Sequence, residues 1–159
     1  MIHRLCRLLG LGAILLAGGP AVATAPTGRF MVTSGSGGNN GTVYDTKTKL
    51  TWQQTVTSTT YTWANAKTYC AGVGSSLGGT GWRLPTVKEL QSILDFTLTS
   101  TPMFPSPFAQ SQQLIQYWTL TVAPTGTQTS PGYAYYVDSW LGGVNRQDPT
   151  ATYGARCVR

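Results

Sequence analysis

The chain has 159 residues, of which 10% are charged and 11% aromatic, with 19 glycines and a formal net charge of +6. That length suits one domain with one core, and the Gly, Ser, Thr, Tyr and Trp content suits a loop-rich β protein better than a helical cytosolic enzyme. The basic excess is mild. Lys47, Lys49, Lys67, Arg83, Lys88 and Arg146 form no run, which argues against a nucleic-acid partner. A polyanion such as a sulfated glycan stays compatible, since spaced cations can meet on one folded face.

Residues 1–23 read as a cleavable export signal. His3, Arg4 and Arg7 make a basic start, residues 8–17 an apolar run, and Gly18-Gly19-Pro20 a break. Ala21-Val22-Ala23 then places small residues at −3 and −1 of a cleavage site. The apolar run is shorter than the about 20 residues that span a bilayer, so no stable membrane insertion is expected after cleavage. The expected localisation is periplasmic, extracellular or at the cell surface.

Cleavage would remove Cys6 and leave two cysteines, Cys70 and Cys157. An even pair in an exported chain reads as a disulfide. The closed loop is long, which in the chain-entropy account is worth about 4–5 kcal/mol. Cleavage would also remove His3, the one histidine. No Ser-His or Cys-His pair and no His-ligated metal is then possible, and the acidic residues are scattered, so neither catalysis nor a metal or other cofactor is expected.

Residues 24–41 form an N-terminal segment with a short strand at 29–33 and a Gly-rich loop at 34–41. Asn40-Gly41-Thr42 matches a glycosylation sequon but reads better as an Asn-Gly turn. The main domain is expected over 42–159. Residues 45–49 look like a turn between two strands, with Leu50 and Trp52 on one face of the second. Trp63, Ala66 and Cys70 recur at helical spacing, helped by Ala64 and Ala71, with Thr62 as N-cap. Residues 71–81 read as a loop.

Residues 81–90, Gly-Trp-Arg-Leu-Pro-Thr-Val-Lys-Glu-Leu, are the most informative stretch. Thr86 and Glu89 fit a capping box, and Val87, Leu90, Ile93 and Leu94 make an apolar stripe, which predicts a second helix over 87–95. Residues 97–113 read as a long surface loop held down by Phe104 and Phe108. Residues 115–122, 133–139 and 153–159 read as strands, the last two joined in a hairpin-like return. Strands, two helices, then strands argue α+β.

Several stretches resemble one bacterial family: Asp45-x-x-Thr48-x-Leu50-x-Trp52, Trp63-x-x-Ala66-x-x-x-Cys70, Trp82-Arg83-Leu84-Pro85-Thr86-x-x-Glu89-Leu90, Tyr117-Trp118-Thr119 and Arg156-Cys157-Val158-Arg159. In this order they are similar to the domain of unknown function typified by the C-terminal domain of the Legionella collagen-like protein (the Lcl C-terminal domain). The family's usual Tyr-Trp-Ser-Ser is Tyr117-Trp118-Thr119-Leu120 here. The resemblance implies a C-type-lectin-like fold of the formylglycine-generating-enzyme variety: two helices on a mainly antiparallel twisted sheet, with a helix cysteine bonded to one on the final strand. It also implies adhesion, since the collagen-like member binds sulfated glycosaminoglycans. Formylglycine-generating chemistry needs a reactive cysteine pair and is not expected.

Candidate sites follow. Trp52, Trp63 and Trp82 have the spacing of core rings. Arg83 and Glu89 read as a structural pair, part of a motif with Trp82 and Thr86. Tyr133, Tyr135, Trp140, Asn145, Arg146 and Asp148 are the candidate ligand-binding residues, because aromatic faces stack on sugars and Asn, Arg and Asp bind hydroxyls or sulfates. Alternation puts Tyr133 and Tyr135 on one face and Tyr136 on the other, one face being core and one exposed. The expected function is an exported, non-catalytic binding or adhesion module for a glycan or other cell-surface polymer. The alternative is a structural or protein-interaction domain of an envelope complex. The oligomeric state is not legible.

Overall fold

A computed structural model describes residues 26–33, 41–98, 102–108, 116–124 and 132–159. The expected signal, residues 34–40 with Asn40, and part of the 97–113 loop lie outside the described residues.

The architecture is α+β. It holds two three-stranded antiparallel sheets rather than one. The first contains β1 (Phe30–Thr33), β2 (Thr42–Asp45) and β3 (Thr51–Gln53) in chain order. The second contains β4 (Gln116–Val122), β5 (Ala134–Asp138) and β6 (Val144–Gln147), also in chain order. Between them the chain forms α1 (Trp63–Gly72), a short α2 (Gly74–Leu77) and α3 (Val87–Ser92).

The β2–β3 turn falls where expected. Asp45 organises it, accepting from Lys47 N at 2.9 Å and from Thr48 Oγ1 at 2.9 Å. The same carboxylate takes both Arg29 Nε and Nη2, at 3.1 and 2.8 Å, and Arg29 Nη2 also donates to Ser92 O. Burial works against the Asp45 charge. The hydrogen bonds from Arg29, Lys47 and Thr48 outweigh it and hold the carboxyl below its usual pKa.

Helix α1 begins at the predicted cap, where Thr62 accepts from Asn65 N. Ala66 and Cys70 are buried, but Ala64 and Ala71 are exposed and add nothing to the core face. The segment read as a loop after residue 71 instead completes α1 and forms α2. Gly72 and Gly74 lie in these helices, and the turn beyond holds Gly78, Gly79 and Gly81 at positive φ.

Helix α3 carries the expected capping box: Glu89 N donates to Thr86 Oγ1 and Thr86 N to Glu89 Oε2. It ends sooner than the apolar stripe suggests, with Ile93 as C-cap, yet Leu90, Ile93 and Leu94 are all buried.

Two cores lie on opposite faces of the second sheet. One holds Val43, Trp52, Leu90, Phe104, Phe108, Tyr117 and Val137, with Leu50 and Val87 packed against it. The other holds Ala66, Cys70, Trp82, Leu84, Trp118, Ala134 and Cys157, with Trp63 and Tyr136 packed against it. Neighbours in β4 thus point apart, Tyr117 to one core and Trp118 to the other. Trp52 and Trp82 are core rings as expected; Trp63 is only half-buried, with the Lys67 ammonium 3.6 Å from its ring centre.

The expected strand over 153–159 is not continuous. The segment makes single bridges instead: Tyr153 to Tyr61, Gly154 to Tyr117, and Val158 to both Trp52 and Arg83. It therefore stitches the two sheets and the α3 entry together. The return partner of β5 is β6, so the expected hairpin of 133–139 with 153–159 closes on residues 144–147 instead.

Cys70 on α1 is bonded to Cys157 in that stitching segment, with Cα atoms 5.3 Å apart across 87 positions. Next to it, Arg156 is fully buried. Its Nη1 donates to Gln53 O and Gln54 O, both at 2.8 Å, and its guanidinium lies 4.6 Å from the Phe104 ring centre. Carbonyl dipoles and aromatic faces stand in for water around this cation.

Candidate ligand-binding face

The site begins at the entry to α3. Pro85 O accepts from Leu120 N at 2.7 Å, and Val87 N donates to Thr121 Oγ1 at 3.2 Å. These two bonds lock the start of α3 against β4. Arg83 locks it from the other side, gripping both Glu89 oxygens with Nη1 and Nη2 at 2.8 and 2.7 Å. Those Arg83 bonds, opposed by burial and helped by Thr86 N–H, lower the Glu89 pKa to about 2. Both side chains are committed to this local geometry, as expected of a structural pair.

Helix α3 packs across the face of β5 that carries Val137. Tyr135 and Tyr133 continue that face beyond the helix. Arg146 lies directly opposite Tyr135 across the β5–β6 ladder, and its guanidinium sits 5.5 Å from the Tyr133 ring centre. An open cavity of about 480 Å³ forms there, lined by Thr86, Val87, Lys88, Thr121, Tyr135 and Val144. Tyr133 and Arg146 are exposed beside it, and Lys88 adds a second exposed cation.

Three of the six predicted ligand residues therefore meet: Tyr133, Tyr135 and Arg146. The other three do not. Asn145 pairs with Tyr136 across the ladder and so faces the opposite side of the sheet. Asp148 folds back on its own chain, accepting from Thr150 N at 2.8 Å and Thr150 Oγ1 at 2.6 Å. Trp140 stands 44% exposed in the turn after β5, where its N–H donates to Asp138 Oδ1, and it does not line the cavity.

The division into one core face and one exposed face also needs correcting. Both faces of β5 reach a core, through Val137 on one side and Ala134 on the other, with Tyr135 and Tyr136 half-buried and Tyr133, just before the strand, exposed.

Lys88, Thr121 and Val144 were not singled out by the sequence. Lys88 had a usable signal: it follows Thr86 by two in a capping box whose other members are fixed, so its side chain had to leave the box. Chemically, the face offers aromatic surface, hydroxyl groups and two cations. Among the described residues no cluster of three or more His, Cys, Asp or Glu could hold a metal ion.

Fold and face together define a class: a disulfide-closed α+β domain, two antiparallel sheets around three helices, with an open aromatic and basic face. The Lcl C-terminal domain family matches residues 41–159, and the chain belongs to that family. No curated protein matches the chain.

Proposed function

We propose that this chain is an exported, non-catalytic binding module with a C-type-lectin-like fold, which recognises a glycan or another cell-surface polymer. The observation that carries this reading is the meeting of Tyr133, Tyr135 and Arg146 beside a cavity that also takes Lys88. A tyrosine face offers an apolar platform for a sugar ring, and a guanidinium offers paired donors to hydroxyl or acidic oxygens. A cavity of this size holds a saccharide unit while leaving a polymer free to run on past it.

The test is a glycan array probed with the oxidised protein, followed by Tyr135→Ala, Arg146→Ala and Lys88→Ala. Each variant should weaken binding about tenfold or more, as for central contacts in other interfaces. Uniform binding across all variants sinks the assignment of this face.

A second reading, a protein-interaction domain, is favoured by a different feature. Phe96, Trp140 and Leu141 are 59%, 44% and 79% exposed, and Phe96 lies against Gly142 in the same turn. Native mass measurement and pull-down from envelope fractions, repeated with Trp140→Ser and Leu141→Ser, separate it from the first.

A further inference from the structure

A second cavity, of about 500 Å³, lies away from the basic face, between the end of β3 and the α1–α2 junction. Gln53 and Tyr69 belong to its lining, together with Thr68, Gly72, Ser75 and Ser76. No charged side chain lines it among the described residues. Lys67 on α1 has its ammonium over the Trp63 ring, and Arg156, behind Gln53, is fully buried and spends its Nη1 on the Gln53 and Gln54 carbonyls.

The polar groups here are set in advance. The buried Cys157 N–H donates to Gln53 Oε1 at 3.2 Å. That fixes the Gln53 amide with its NH₂ turned to Tyr69, where Nε2 donates to Oη at 2.8 Å. Tyr69 Oη is thus an acceptor within the protein, and its own proton has no protein acceptor among the described residues. Burial raises the Tyr69 pKa, with the Gln53 bond opposing, so the phenol keeps that proton at neutral pH. The ring itself is held by stacking on Tyr61, 4.8 Å away at 19°.

On α1 and α2 the hydroxyls are the reverse. Thr68 Oγ1 donates to Ala64 O, Ser75 Oγ to Gly72 O and Ser76 Oγ to Val73 O. Their protons are spent on the helix, so each oxygen is left to accept. Thr55 and Thr57, also in the lining, add hydroxyls that can donate or accept. A fixed phenol donor and several hydroxyl oxygens suit a ligand whose groups both accept and donate, and the lack of charge in the lining disfavours an ion.

Gly72 completes the arrangement. It is helical, and a Cβ there would meet nothing within 4 Å. Nothing in the packing excludes a side chain at this position; its absence leaves the cavity mouth clear.

We propose that this cleft is a separate binding site for a neutral, polyhydroxylated ligand, of which a pyranose sugar is the type. It rests on none of the residues of the Tyr135 face, so the two sites stand or fall independently.

The experiment is saturation-transfer NMR on the oxidised protein with glucose, galactose, mannose and N-acetylglucosamine, followed by titration of whichever binds. At least one should bind with Kd on the order of 1 mM, as expected for a few hydrogen bonds in an open site. Gly72→Phe should weaken that binding more than about tenfold by filling the mouth, with no loss of thermal stability, since replacing a helical glycine is favourable where space allows. Tyr69→Phe should weaken it about fivefold by removing one donor. Raising the salt concentration should leave Kd unchanged, because no charge is involved. Binding by none of the four sugars overturns the proposal, as does full binding by a folded Gly72→Phe variant. Loss of sugar binding in Tyr135→Ala but not in Gly72→Phe also overturns it, while leaving the first site standing.

Discussion

Gln53 and Cys157 are tied twice: Gln53 N donates to Cys157 O at 2.9 Å, and Cys157 N returns a bond to the Gln53 side chain. The disulfide is therefore held by a strand on one side and by α1 on the other. Cys157→Ser should lower stability by about 4–5 kcal/mol in the chain-entropy account. Intact mass of the native protein should show no free thiol among Cys70 and Cys157, and thermal unfolding of the variant should start at a much lower temperature.

The Arg83–Glu89 pair predicts an acid dependence. The folded Glu89 pKa of about 2 lies below its ordinary 4.5, so the pair's stabilisation is complete above about pH 4.5 and is lost as pH falls through 2. The Arg83 side chain is 37% exposed, and solvent screening brings the contribution down to about 1–2 kcal/mol. Glu89→Gln should cost that much at pH 7. The gap to the native protein should close as the melting temperatures of both are followed down in pH.

Asp45 is fully buried, and its Arg29 partner has a side chain only 16% exposed. Breaking such a pair leaves a buried cation uncompensated. Asp45→Asn should cost about 3 kcal/mol in urea unfolding. Because Arg29 also holds Ser92 O, the same change should loosen β1 and raise amide exchange at residues 30–33 before it does so in β4.

Gly142 has φ +68, and a Cβ there would collide with the Phe96 ring. Gly142→Ala should destabilise by about 1–2 kcal/mol, since both the backbone and the ring oppose it. Pairing it with Phe96→Ala should recover the part due to the clash and leave the part due to φ.

Much of this fold is written locally. The capping box at Thr86 and Glu89, the Thr62 cap and the Asp45 turn each depend on side chains within four positions, so the sequence discloses them. The family match also covers most of the chain. What the sequence conceals depends on distant partners. Residues 144–147, Val-Asn-Arg-Gln, show no apolar alternation because β6 is an edge strand with Val144, Asn145 and Arg146 exposed. Residues 153–159 have the apolar content of a strand but lend single bridges to several elements.

The candidate site was half legible for the same reason. Tyr133 and Tyr135 share a face by simple alternation, and Arg146 joins them only through the β5–β6 register. Asp148 stands apart from them for a local reason: Asp148-Pro149-Thr150 is a turn sequence in which the carboxylate accepts from Thr150 N and Oγ1.

The bridges made by residues 153–158 bear on the order of assembly. Trp52, Tyr61, Arg83 and Tyr117 lie far apart along the chain, and each awaits a partner in that one segment. The link between the two sheets is complete only when residues 153–158 are in place. The domain should therefore fold all at once, with its rate set by the search for distant contacts rather than by the helices.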